Sequence, residues 1–355
     1  MKHSRFLCAF LVLMVLVACF VPLIQFAHAT NLLTGWGYRK SHVINYAAGA
    51  GTLYQKQITV HYGSGTDGDD DVYLNSHSRT DFGDVRFTDD DGSTLLDYWM
   101  EEKVDSDYSI FWVKVADDLS TVAVTVYVYY GKADATTTSS FTATFIEGDS
   151  FTRADSDTVG NTEIGSRTWT ERHTKTLGDF DIVSNQLKMA DSSNFAWCTI
   201  PFSQYNLAMD FILFVPSGSS TNWAGAEIRK VAEADNYTTS GLLIYFRANG
   251  NIEVAGGSPT GTTTGTYTAG QNNRISIQAY NNSIKVYVND VLKLDFTEST
   301  ETGGYVDFAD YALVNTIWDS FRVRKCVLPE PAHGAWGSEE TSVIASRRLL
   351  VGVGL

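Results

Sequence analysis

Six polar side chains occupy alternating positions within apolar stretches: Glu227 and Arg229, Tyr245 and Arg247, Gln278, and Tyr287. In 242–247, Leu242, Ile244 and Phe246 point one way, and Leu243, Tyr245 and Arg247 the other. In 274–280, Ile275, Ile277 and Ala279 oppose Ser276, Gln278 and Tyr280, and in 284–288 the apolar residues oppose Lys285 and Tyr287. If these strands are neighbours, one sheet face presents Glu, Arg, Tyr and Gln. Saccharides bind such a face, because rings stack on their C–H surfaces and charged groups make paired hydrogen bonds to their hydroxyls. An ordinary solvated outer face shows the same alternation, so both readings stand.

Two acidic runs raise the question of calcium. Asp67-Gly68-Asp69-Asp70-Asp71 and Asp89-Asp90-Asp91-Gly92 offer hard oxygens, without the spacing of an EF-hand. Asp and Gly are also standard turn residues, so hairpin turns explain both runs. The sequence contains no G-x-S-x-G, H-E-x-x-H or P-loop. His42, His61, His77, His173 and His333 are scattered, none at ligand spacing from a second donor.

The first 29 residues bear on compartment. A basic start (Lys2, His3, Arg5), an apolar run over 6–26 and Ala27-His28-Ala29 have the layout of a cleaved export signal, with the mature chain starting at Thr30. A retained membrane helix and a lipid anchor through Cys19, in Leu16-Val17-Ala18-Cys19, are the alternatives. Without 1–29 the chain carries 24 Lys+Arg against 41 Asp+Glu, a formal charge of −17. Such a surface repels phosphate backbones and argues against a nucleic-acid partner. Only Cys198 and Cys326 remain, compatible with one disulfide or two buried thiols.

Abundant Thr, Val, Ile and Tyr, scarce Pro and no long helical periodicity predict an all-β chain. Short strands separated by Gly, Asp and Ser clusters over 35–132 predict one β-sandwich. Residues 133–146 read as a linker. A longer series over 147–325, with a hairpin turn at Asn289-Asp290 and a Gly/Thr-rich loop at 258–270, predicts a two-sheet jelly roll. Residues 326–355 read as an irregular tail, with an apolar end too short to span a membrane.

Two resemblances follow. Gly35–Lys40, Asp84–Gly92, Tyr98–Glu101, Phe111–Val115 and Tyr127–Gly131 resemble a secreted "domain of unknown function 2341". That resemblance implies a β-sandwich of archaeal and bacterial surface proteins, with no known reaction. Asp149–Asp155, Gly160, Trp169, Ala234–Tyr237, Asn249-Gly250-Asn251, Ile284–Asp290 and Trp318–Val323 resemble a concanavalin A-like lectin/glucanase domain. That resemblance implies a jelly roll that binds glycans or cleaves them, and a structural calcium shared by Asp149 and Asp319 at the two ends of the domain. The E-x-D-x-x-E pattern of such glucanases fails here, because Glu233-Ala234-Asp235 is followed by Thr238 at the next required position. The expectation is therefore a secreted or cell-surface protein that binds glycan or envelope polysaccharide without catalysis. A glycoside hydrolase or polysaccharide lyase, and a purely structural surface protein, are the rivals.

Overall fold

Alternating β-branched and aromatic residues, as in Val124–Tyr130 (VTVYVYY), can satisfy their backbone only in a sheet that buries one face. The computed structural model describes residues 32–173, 179–191 and 195–342. The expected signal 1–29, Cys19 and the apolar end 346–355 lie outside the described residues. The chain is all-β, and its described residues form four sheets in two sandwiches. No helix among the described residues is long and apolar enough to cross a membrane.

In the first sandwich, Tyr38–Ile44, Val124–Tyr130 and Arg86–Thr88 form one sheet with two strands from the far end of the chain, His333–Trp336 and Glu340–Thr341. Asp71–Tyr73, Tyr54–His61, Tyr108–Val115 and Tyr98–Val104 form the other. Ile58, Val60, Phe87, Phe111 and Val128 fill the space between them. The tail is therefore not wholly irregular: its strands His333–Trp336 and Glu340–Thr341 complete the first sandwich, and the second is inserted into it. Glu330 accepts from the Tyr54 hydroxyl at 3.0 Å, and Pro331 O from Lys56 Nζ at 2.7 Å.

The second sandwich packs a nine-stranded sheet on a seven-stranded one over a large apolar core. Its chain enters at Glu147–Asp149 and leaves at Ile317–Arg324, and these two strands are paired. Asn289 and Asp290 turn with φ of 49° and 64°, as a two-residue hairpin requires. The Gly/Thr-rich loop contains two short strands: Thr260–Thr262 joins one sheet and Thr264–Thr266 the other, so the segment closes an edge. Cys198 and Cys326 are both buried and free, the first in the second sandwich's core and the second beyond its last strand.

The expected linker is an ordered wedge. Ser140 caps a helical turn, Phe141–Thr144, accepting from Ala143 N. Phe141 and Phe145 then pack on Trp99 and Trp112, between the two sandwiches.

Two buried sites give the sandwiches opposite responses to pH. His42 Nε2 and His333 Nδ1 lie 2.8 Å apart, and the His42 ring stacks on Trp336. Burial, then the Lys56 charge, lowers both, His42 to about 4. As pH falls below 6.5 the unfolded chain takes up protons that this folded pair refuses, so the first sandwich loses stability. In the second, burial pushes the Asp310 carboxyl up to about 8, although it accepts from Thr316 Oγ1 and Leu313 N. Between about pH 4 and 8 the folded chain keeps a proton that the unfolded chain has lost, so stability falls as pH rises through that window. Hydrogen exchange at pH 5 and pH 8 is expected to show weaker protection of Tyr38–Ile44 at pH 5. Protection of Gly304–Tyr311 weakens at pH 8, and Asp310→Asn flattens that second response. Parallel responses in the two sandwiches would count against this assignment.

Candidate functional site

The six expected glycan-binding residues do not share a face. Glu227, Arg229, Tyr245 and Arg247 lie in the seven-stranded sheet, whereas Gln278 and Tyr287 lie in the nine-stranded sheet on the other side of the core. Alternation assigns a side chain to inside or outside, but it is blind to which sheet a strand joins.

Two of the six are buried anchors. The register breaks between Glu227 and Lys230, and Arg229 turns at φ 61°. Its guanidinium lies 3.7 Å from the Tyr205 ring centroid and donates to Asn281 O at 2.5 Å. Glu227 is wholly buried, and its Oε1 accepts from Tyr237 N, which pins the loop over 231–240. It sits opposite Asp307, which Lys230 Nζ meets at 2.5 Å. Burial, then the neighbouring Asp307 charge, raises the Glu227 pKa well above the carboxylate range.

Tyr245 and Arg247 do face outward from the core, and they sit in an aromatic surface that alternation alone did not reveal. Phe195, Trp197, Trp223 and Leu243 form its base, with Tyr237, Tyr245 and Tyr311 half-buried around them. Cross-strand register explains the assembly, since Trp223 pairs with both Tyr311 and Arg247. Gly225 lies opposite Tyr245 and Ala309, and a Cβ there would come within 2.1 Å of Ile244 O. Only glycine lets these strands pack so closely under the rings.

The Trp223 ring stacks on Tyr311 at 5.9 Å and 14°, and lies 5.1 Å from Tyr245. Glu253 locks the edge of this surface. It accepts from the Tyr245 hydroxyl at 2.7 Å, and from Arg247 Nε and Nη2 at 2.6 and 2.9 Å. Arg247 Nη1 also donates to Ser220 O at 2.7 Å. The Arg247 bonds hold Glu253 below its usual pKa, while burial, then Glu253, pushes Tyr245 up to about 12. The edge is thus a fixed carboxylate, a fixed guanidinium and a neutral phenol. It can donate to and accept from hydroxyls beside an aromatic platform.

The two residues of the expected calcium pair are not register partners, and each is bonded to protein donors. Both Asp149 oxygens accept from the Arg153 guanidinium at 2.8 Å. Phe151 N and Trp169 Nε1 take the remaining directions at 2.9 and 2.8 Å. Register puts Phe321, not Asp319, opposite Asp149. Asp319 instead accepts from Gln186 Nε2 and Ser320 N. The acidic runs are turns held by their own donors: Asp67 takes Lys40 and Tyr73 N, and Asp91 takes Ser93 N and Thr94 N. Among the described residues, Asp89, Asp90 and Asp117 bring carboxylate oxygens within 4.8 Å of one another. Glu233 pairs with Arg172, and Asp235 accepts from Ser240 Oγ.

Tyr287 and Gln278 line a separate cavity of about 650 Å³ between the two sandwiches.

No curated protein matches the chain. Among solved structures, the chain is similar to the carbohydrate-binding module CBM66 from Bacillus subtilis, at 13% identity over 44% of this chain and 95% of that one, with a TM-score of 0.35. It is also similar to a Bacillus subtilis protein of unknown function with a galectin-like fold, at 8% identity over 44% and 89% of the two chains, TM-score 0.36. The galectin LEC-6 of Caenorhabditis elegans matches at 16% identity over 35% and 88%, TM-score 0.27. A family model described as "Domain of unknown function (DUF2341)" matches residues 81–172. The matched stretch leaves out Gly35–Lys40 and runs past the expected boundary at 132 into the opening of the second sandwich, Asp149–Trp169. The match to this family model thus covers the later strands of the first sandwich and the opening of the second.

Proposed function

We propose that this is an exported protein that binds glycan on the outer face of the seven-stranded sheet, without catalysis. One observation carries the reading. A half-buried ring, Tyr245, is held rigidly beside Trp223 and Tyr311, and its hydroxyl and Arg247 are fixed by one carboxylate. Rigid rings flanked by fixed donors and acceptors bind saccharides at low entropic cost. The carboxylates of this face support binding rather than hydrolysis. Glu253 is committed to Arg247 and Tyr245, while Glu227 and Asp307 are wholly buried. Export rests on the layout of residues 1–29.

The test is a glycan-array screen followed by calorimetric titration of the best ligand. Tyr245→Ala removes a stacking surface and Arg247→Ala a charge-assisted donor. Each is expected to weaken binding by roughly 1–3 kcal/mol, with little change in melting temperature because both side chains lie outside the main core. Undiminished binding in both variants, or turnover of the bound glycan, would refute the reading.

A further inference from the structure

The cavity between the sandwiches has a floor built by register. Arg322, Asp210, Ser276 and Tyr287 stand side by side across four strands of the nine-stranded sheet: Asp210 pairs with Arg322 and with Ser276, and Ser276 with Tyr287. Gln278 and Lys285 form the next rung. Gln57 and Trp112 of the first sandwich, with Pro329 and Glu330, form the opposite wall.

Two polar atoms of this floor are buried without a hydrogen-bond partner, Ser276 Oγ and Arg322 Nε. Arg322 is 4% exposed, and its Nε reaches only to 4.0 Å from Asp210. Gln57, Gln278 and Tyr287 also make no side-chain hydrogen bond among the described residues. Each buried donor or acceptor left unpaired is costly, and this floor carries two, with the open polar groups of Gln57, Gln278 and Tyr287 around them.

The charges, by contrast, are already satisfied. Arg322 meets Glu101 at 2.8 Å, Arg324 meets Asp210 at 2.8 Å, and Arg274 pairs with Asp290. Among the described residues, five acidic and five basic side chains line the cavity. A lining so balanced gives an ion no net attraction. Its free groups are amides and hydroxyls, which both donate and accept, and one N–H, which donates, with the Tyr287 ring beside them. That set is complementary to vicinal hydroxyls on a ring with apolar C–H faces. A volume of about 650 Å³ at a domain interface suits a small ligand.

We propose that this cavity is a second saccharide site, which takes a neutral, hydroxyl-rich segment between the two sandwiches. It stands independently of the aromatic platform, because the two surfaces lie on opposite sheets of the second sandwich. A chain occupying both would be held at two points.

The experiment is calorimetric titration of the full chain with neutral linear tetrasaccharides of glucose, mannose and xylose, and with a galacturonate tetrasaccharide. Ser276→Phe fills the floor, Tyr287→Ala removes the ring and Tyr287→Phe removes only its hydroxyl. Thermal melts of each variant establish that it is folded. At least one neutral tetrasaccharide is expected to bind, with at least tenfold loss in Tyr287→Ala and Ser276→Phe and a smaller loss in Tyr287→Phe. Tyr245→Ala leaves this binding in place. Should Ser276→Phe fail to fold, the two Tyr287 variants still decide. Neutral binding unchanged by Tyr287→Ala, preference for the galacturonate, or no neutral binding at 10 mM overturns the inference. Neutral binding abolished by Tyr245→Ala alone also overturns it while sparing the platform; binding lost only in the cavity variants supports the cavity and leaves the platform to its own test.

Discussion

A chain ending at Pro329 should lose the first sandwich and keep the second. Residues 330–342 supply two strands beside Tyr38–Ile44. They also supply partners for groups that are otherwise buried. Lys56 loses Pro331 O, Tyr54 loses Glu330, and Tyr130 loses Glu339, which its hydroxyl meets at 2.7 Å. Stranding a buried ammonium costs about 3–5 kcal/mol by itself, a large part of a domain's usual stability of about 5–15 kcal/mol. Hydrogen exchange is the measurement that separates the sandwiches. Protection is expected to vanish in Tyr38–Ile44 and Tyr54–His61 and to persist in Leu207–Phe214. A truncated chain with full protection in both would show that the returning strands are an accessory.

Arg322→Ala should be the most damaging single substitution at the junction. Its guanidinium is buried, meets Glu101 at 2.8 Å and lies 5.3 and 5.2 Å from the ring centroids of Trp99 and Trp112. Without it, Glu101 keeps only the Trp112 Nε1 bond at 2.6 Å and remains a buried carboxylate. Breaking one side of such a pair costs about 3–5 kcal/mol, whereas replacing both with apolar or neutral groups costs far less. Urea unfolding of Arg322→Met, Glu101→Gln and the double variant should therefore show strong coupling, with the double variant more stable than Arg322→Met alone. A loss under about 1 kcal/mol in Arg322→Ala would place the pair among weak surface contacts.

Side-chain period and turn chemistry carry much of this fold in the sequence. The all-β class, the strands Val124–Tyr130 and Leu242–Arg247, the Asn289-Asp290 hairpin and the outward direction of Tyr245 and Arg247 all follow from them. What period cannot show is partnership. Gly304–Tyr311 is a central strand of the seven-stranded sheet, yet Asp307 and Asp310 mask it until Lys230 and Thr316 are seen to satisfy them. Arg229 misled because one irregular residue shifts the alternation. The carboxylate of Asp149 looked available because Arg153, four residues on, and Trp169 occupy it only once the chain has folded. The returning strands of the first sandwich are short and flanked by Pro and Gly, so nothing local distinguishes them from a tail.

That return has a consequence for how the chain is made. His42 and His333, neighbours in the first sandwich, are 291 positions apart. At synthesis rates of about 5–20 residues per second, the strand Tyr38–Ile44 waits roughly 15–60 s for its outer partner. Through that interval it offers an open edge to other chains. The inserted sandwich has no such delay, because its entry and exit strands lie side by side and it closes as soon as Ile317–Arg324 emerges. Domains usually fold from the N-terminus onward as they are made; here the middle of the chain can close before the strands that complete its beginning have emerged.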